Sequence, residues 1–375
     1  NAAAMNGLFL AVVSCLVFVL LGLTCSRGFF LMQTDQQTIV DYGAAYMSIV
    51  SVLSGGMFLQ ITFDRVLQAT GRTVYTLFTQ AVGAVINIIL DPILIFGLFG
   101  LPRLEVAGAA LATVIGQFIA AGLSLFFNLT RNHDIQFRFR GFRPDRGIIA
   151  RIYSVGVPSI VMSSIGSVMV FGMNKILIAY HSAKETAETA FGIYFKLNSF
   201  IFMPIFGLNN GVVSIIAYNY GAQHRRRMTE TIKRSTIYAS CIMLLGMSIF
   251  LSIPGTLLKI FDATDTLLAA GVPALRIISL SFCMAGASIA LTSAFQALGK
   301  SLYSMIISII RQLVFLVPLA YILARYGAGI GNNDLVWWSY PIAEIAALTV
   351  SLLFFRHMYK TLIAKLPEHG PAISE

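Results

Sequence analysis

Apolar residues run through this chain in long blocks, and polar residues gather in the short gaps between them. A helix that crosses the hydrocarbon core of a bilayer needs about 20 predominantly apolar residues. By that criterion roughly ten such blocks follow one another. They predict helices over Asn6–Leu31, Tyr42–Thr62, Val74–Phe99 and Val106–Leu129. A basic stretch from Arg131 to Arg151 comes next, and further helices are predicted over Ile152–Tyr180, Ala190–Tyr218, Thr236–Ile260, Leu268–Gln296, Tyr303–Ala324 and Leu335–Phe355.

The chain is 57% hydrophobic and 11% charged. Soluble domains carry about 25% charged residues. The deficit leaves too little polar surface to cover a water-exposed body, so lipid must cover much of it. The chain opens on an apolar run without a basic leader or cleavage site, so a signal peptide is not expected. Cys15, Cys25, Cys241 and Cys283 lie inside apolar blocks, at spacings that suit neither a metal site nor a disulfide framework. They read as buried small hydrophobes.

The net charge of +10 is confined to a few gaps, which argues against nucleic acid as a partner. Arg65 and Arg72 follow the second block, and Arg131, Arg138, Arg140, Arg143, Arg146 and Arg151 follow the fourth. Arg225, Arg226, Arg227, Lys233 and Arg234 follow the sixth, Lys300 the eighth, and Arg356, Lys360 and Lys365 the tenth. The alternate gaps hold only Arg103, Lys184, Lys259 and Arg325. Basic loops stay cytoplasmic, so both ends of the chain are expected on that side of a plasma or bacterial-type inner membrane.

The chain also repeats itself. The segment Leu67–Tyr75 reads against Phe295–Tyr303 at an offset of 228 residues, the offset that takes Gly71 to Gly299. The same offset takes Ile49, Val50 and Ser51 to Ile277, Ile278 and Ser279, and Ala11 to Ala239. An even number of spans separates the copies, so they run parallel. Parallel repeats are a recurrent transporter architecture, with the substrate path at their interface. The C-terminal copy starts near Arg151 with six spans; the N-terminal copy shows four, and the offset carries its start to before Asn1. The expectation is therefore a chain that lacks the first two helices of its N-terminal bundle, in keeping with Asn rather than Met at position 1.

Several segments carry a family resemblance. The run from Asn87 through Asp91 and Pro92 to Gly97, followed by Val106–Gln117, resembles the multidrug and toxic compound extrusion (MATE) family. So do Met203–Gly211, with Pro204, Asn209 and Asn210, and Tyr218–Ala222. The combination is most similar to the MepA-like branch. The resemblance implies an all-α integral membrane fold of two parallel six-helix bundles. It divides the chain into an N-terminal lobe over residues 1–130 (family helices 3–6), a cytoplasmic linker over 131–150, a C-terminal lobe over 151–362 (family helices 7–12) and a tail over 363–375. It implies a monomeric multidrug antiporter that exports small lipophilic cations in exchange for protons or sodium, with no other cofactor and no metal.

Ionisable groups inside spanning helices are costly and default to functional candidates. Asp91 leads, with Asn87 one turn earlier on the same face and Pro92 able to kink the helix beside it; capping of the kinked backbone is the structural alternative. Glu344, Lys175 and Lys196 lie at similar depth and are expected to form an ion cluster, either static or proton-carrying. Asn174, Asn198, Asn209, Asn210, Gln60, Gln80 and Gln117 are amides suited to substrate contact or to interhelical bonding. Asp64 and Arg65 read as an interfacial pair, Arg27 and Arg276 as snorkelling, and Arg311 as a deep cation that needs a partner. Met57, Met162, Met173, Met203 and Met284 suit an adaptable cavity or ordinary packing. Some MATE relatives place acidic cation ligands on helices that correspond to the fifth and eighth blocks, yet no acid lies between Pro158 and Lys175 or between Leu268 and Gln296. That puts a sodium site of that type in doubt.

Other functions fit less well. No phosphate-binding Gly-x-x-x-x-Gly-Lys-Ser/Thr loop occurs. His133, His181, His224, His357 and His369 fall in or near gaps and form no ligand pair. No nucleophile–base pair marks an intramembrane enzyme, and a two-fold repeat suits alternating access better than a channel. The runner-up is a lipid-linked oligosaccharide flippase. It would call for a strongly basic cavity, whereas the few membrane cations here are matched by Asp91 and Glu344.

Overall fold

The computed structural model describes residues 1–31, 36–137, 142–180 and 184–368, apart from the side chains of Lys184 and Glu185. Arg138, Arg140, His181, His369 and the tail beyond Glu368 lie outside the described residues. Among the described residues every regular element is helical. Eight helices are long and apolar enough to cross a membrane, or ten when each of two bent pairs is counted as one span. The chain is thus an all-α, multi-pass integral membrane protein.

Two compact units divide it, Asn1–Ile152 and Tyr153–Glu375. The first holds α1 (Ala2–Thr24), α2 (Ser26–Leu31), α3 (Gln37–Val52), α4 (Gly55–Ala69), α5 (Thr73–Phe96) and α6 (Glu105–Arg131). Helix α7 (Arg146–Tyr180) leads into the second, followed by α8 (Lys184–Gly221), α9 (Arg225–Ser252), α10 (Pro254–Lys259), α11 (Asp265–Ser279) and α12 (Phe282–Ala297). Helix α13 (Ser301–Ile309) continues through a π-helical stretch, Ile310–Leu316, into α14 (Val317–Ile330), and α15 (Ser339–Thr361) closes the unit.

The sharp bends fall at the second and eighth of the expected spans. Helices α3 and α4 meet at 48°, and α11 and α12 at 49°. At the first break Ser54 N–H donates to Ser51 O at 3.3 Å, and at the second Ser281 N–H donates to Ile278 O at 3.0 Å, so the turn tightens to i→i−3 bonds. The Ser281 hydroxyl also donates to Ile278 O at 2.7 Å, satisfying a carbonyl that the break frees. Helix α5, in contrast, runs on through Pro92 as one element.

Small residues let the helices approach, as is usual where lipid removes the hydrophobic drive between them. A Cβ on Gly116 would meet Gly83 O at 2.8 Å, and one on Gly56 would meet Phe118 N at 2.9 Å. Helices α5 and α4 therefore lie backbone-close to α6. In the second unit Gly286 takes the same role against Ala239 O. Its core is aromatic, with Phe191, Phe250, Phe282 and Trp337 almost fully buried. Cys25 and Cys241 are exposed rather than buried; a lipid-facing surface accepts a small apolar thiol as readily as a core does.

The 228-residue offset reappears as geometry. It carries Gln37 to Asp265 and Ala69 to Ala297, so the two bent pairs coincide from end to end. Gly71 and Gly299 share left-handed φ values of 77° and 69°. Arg72 N–H bonds Leu67 O at 2.8 Å, and Lys300 N–H bonds Phe295 O at 2.8 Å. The Thr76 hydroxyl donates to Asp64 O at 3.5 Å, as the Ser304 hydroxyl donates to Thr292 O at 3.0 Å. Tyr75 lies tilted against Phe127 at 4.7 Å, and its counterpart Tyr303 stacks at 4.8 Å on Phe354, one residue short of the position the offset gives.

Candidate functional site

In the first unit the close packing of α5 on α6 brings three polar side chains together. Asn87 Nδ2 donates to Asp91 Oδ1 at 3.3 Å, one turn along α5, and also reaches Thr113 Oγ1 on α6 at 3.4 Å. The Thr113 hydroxyl proton goes to Ala109 O at 3.0 Å, which leaves its lone pairs facing the amide. Asp91 is half-buried. Among the described residues no ion pair reaches it. A carboxylate in an apolar helix without a fixed cation is suited to bind a mobile one. Gln60 on α4 and Gln117 on α6 are half-buried, but no hydrogen bond joins either to Asp91 among the described residues. Gln117 Oε1 is buried without a partner.

Asp64 differs from its expected role. It is 3% exposed. Thr79 Oγ1 donates to its Oδ1 at 3.0 Å and Gln80 Nε2 to its Oδ2 at 3.2 Å, and the Ser124 hydroxyl makes a short bond to Oδ1. Arg65 instead donates to Gln68 Oε1 at 2.9 Å. The signal in the sequence was polar: Thr76, Thr79 and Gln80 cluster near the start of α5, ahead of Asn87 and Asp91.

In the second unit the expected Glu344–Lys175–Lys196 cluster does not form. Glu344, 7% exposed, pairs with Arg311, with Nη1 and Oε1 3.5 Å apart. Lys175 and Lys196 are exposed. Their ammonium groups lie 5.6 Å from the Phe171 ring and 5.8 Å from the Phe261 ring. Helix rotation explains the change: similar depth in the membrane does not put side chains on facing sides. Arg311 thus has the partner its depth called for.

Two cavities flank this pair. One of about 250 Å³ is lined by Glu344, Arg311, Tyr194, Asn198 and Tyr340 among others. The other, about 290 Å³, is lined by Arg311, Asn209, Thr292, Gln296 and Met162 among others. The side-chain oxygens of Asn174, Asn198 and Asn209 are buried without partners. Of the methionines suited to a cavity or to packing, Met162 lines a cavity and Met173 packs fully buried in the core. Among the described residues no group of His, Cys, Asp and Glu is arranged to hold a metal ion.

The MatE family model matches residues 1–93 and 158–322, more than half of the chain. The multidrug export protein MepA of Staphylococcus haemolyticus is 28% identical over 305 residues, which cover 81% of this chain and 65% of that protein. MepA of Staphylococcus aureus strain NCTC 8325 is 26% identical over 311 residues, covering 83% of this chain and 66% of the relative. The chain thus spans about two thirds of the length of the curated relatives it matches. A multidrug resistance MATE family transporter of the MOP superfamily, solved in an outward-facing conformation, superposes with a TM-score of 0.88 at 20% identity, over 97% of this chain and 80% of that one. A MOP superfamily transporter from Pyrococcus furiosus gives 0.89 at 20% identity, over 96% and 79%. At that identity these structures establish the fold.

Proposed function

This chain belongs to the MatE family, and from that premise we propose that it is a secondary active multidrug exporter that moves lipophilic organic cations out of the cell in exchange for protons or sodium ions. The observation that carries this reading is the Asn87–Asp91–Thr113 group, a half-buried carboxylate on an apolar helix, oriented by an amide and free of any ion pair among the described residues. Such a group can take up and release a cation without breaking a salt bridge first. The amide holds the carboxylate through one oxygen and leaves the other for the ion. Relatives named as multidrug export proteins support the class of cargo.

The two parallel repeats act as the two lobes of an alternating-access transporter, with residues 131–150 as the cytoplasmic connection and both ends of the chain on the cytoplasmic side. The protein works as a monomer in the lipid bilayer and needs no cofactor beyond its coupling ion. Gln60, Gln117, Asn174 and Asn209 supply further polar contacts for cargo or ion, while Lys175 and Lys196 lie on exposed helix faces and act as field-setting charges.

The test is ethidium efflux from efflux-deficient cells that express the full-length protein, under imposed proton or sodium gradients. Wild type should clear the dye, and Asp91→Asn should slow gradient-driven clearance at least about tenfold, or some 1.4 kcal/mol of lost coupling. Wild-type efflux at background, with the protein verified in the membrane, would sink the reading and turn attention to lipid-linked oligosaccharides as cargo.

A further inference from the structure

The buried ion pair of the second unit has two glycines as its sequence counterparts in the first. The 228-residue offset carries Gly83 to Arg311 and Gly116 to Glu344. Gly83 and Gly116 pack backbone against backbone, with no room for a Cβ on Gly116. At the equivalent place the second unit has a π-helical stretch, an ion pair and two cavities. Single π-turns inside α-helices recur at functional sites. Here the π-helical stretch carries Arg311, which lines both cavities.

The pair is loose. Glu344 Oε1 lies 3.5 Å from Arg311 Nη1, at the far edge of hydrogen-bonding range, and has no other partner. The side chain of Glu344 is 9% exposed and that of Arg311 is 26% exposed. Buried polar atoms in native proteins are normally bonded, so acceptors left open mark a place for donors. Glu344 Oε1 and Asn198 Oδ1 are such acceptors in the cavity of about 250 Å³, and Asn209 Oδ1 is one in the cavity of about 290 Å³. Arg311 lines both cavities. Its guanidinium can leave Glu344 for the cavity of about 290 Å³, where Asn209, Thr292 and Gln296 offer oxygens.

We propose that Glu344 and Asn198 form a binding site for an organic cation that carries N–H groups, and that Arg311 is the built-in occupant which this cation displaces. One cation replaces another at the carboxylate, so Glu344 is never left buried and unpaired, the state that costs most. Tyr194, Phe202 and Tyr340 supply aromatic faces that attract positive charge. A primary ammonium fills the open acceptors; a quaternary ammonium of the same shape has no hydrogen to give them. The inference rests on the exporter reading and adds to it a subsite and a preference among cations.

The test uses the purified full-length protein and two probes, phenethylammonium and its trimethylammonium analogue, with binding followed by calorimetry. Arg311→Met removes the internal competitor and should tighten phenethylammonium binding about tenfold while changing the trimethyl analogue little. Asn198→Ala loses no existing bond, so it should fold normally, and should weaken only phenethylammonium, again about tenfold. Glu344→Gln should abolish the preference between the probes. Unchanged or weaker phenethylammonium binding in Arg311→Met would overturn the displacement; should that variant not fold, equal affinities in Asn198→Ala and wild type would overturn the site. A wild type that exports no organic cation from cells would strike the exporter reading instead, since the binding comparison stands without transport.

Discussion

Asp64 and Asp91 sit on neighbouring helices of one unit, and their surroundings assign them different work. Asp64 collects two hydroxyls and an amide at full burial, whereas Asp91 holds one amide and stays half-open. Asp64→Leu would leave the Gln80 amide and the Ser124 hydroxyl unmet, at about 1–3 kcal/mol each, while the Thr79 hydroxyl keeps Thr76 O. The purified variant should therefore lose its folded yield or melt well below wild type, while Asp91→Asn melts within about 1 kcal/mol of it. Equal melting of the two variants would show that Asp64 is no structural anchor. Its role was hard to read because Arg65 is next to it in sequence, yet adjacent helical residues point about 100° apart and do not face each other. Arg311 and Glu344 show the converse. Their depth marked both as unusual, but no local pattern joins two residues from different spans.

At the scale of the element, glycine contacts decide how near two helices lie. A side chain on Gly116 meets the backbone of α5, while one on Gly122, in the same helix, meets nothing within 4 Å. Gly116→Ala should therefore destabilise by roughly 1–3 kcal/mol, and Gly122→Ala should be neutral or stabilise by up to about 1 kcal/mol; thermal melts of the two proteins check the ordering. Apolar blocks located every span but not every helix end. The seventh block was read from Thr236, yet α9 begins at Arg225. Hydropathy reports where lipid is, whereas the helix extends past it on polar support such as the Glu230–Arg234 pair at 2.5 Å. The two bends were equally silent, because a serine that closes an i→i−3 turn looks like any other serine in an apolar run, while Pro92, the obvious breaker, lies within a continuous helix.

At the scale of the whole molecule, the repeat is what the sequence shows most openly, since Gly71 and Gly299 need a left-handed backbone and keep their neighbours in register. What the repeat leaves open is where the copies diverge, and the functional candidates sit there: Asp91 in one copy, Arg311 and Glu344 in the other. The proposed orientation, with the basic turns cytoplasmic, has a direct test. In a protein with its four cysteines replaced, Arg226→Cys should react with an impermeant maleimide only from the cytoplasmic face and Leu101→Cys only from outside; the opposite pattern would invert the topology. The most direct test of gradient-coupled export is made in proteoliposomes that hold the full-length protein and a pH-sensitive dye. Adding a lipophilic cation on one side should drive protons, or sodium ions with a sodium-sensitive dye, the other way in wild type and not in Asp91→Asn. Cation movement with no counter-movement of either ion, or coupling left intact in Asp91→Asn, would contradict it.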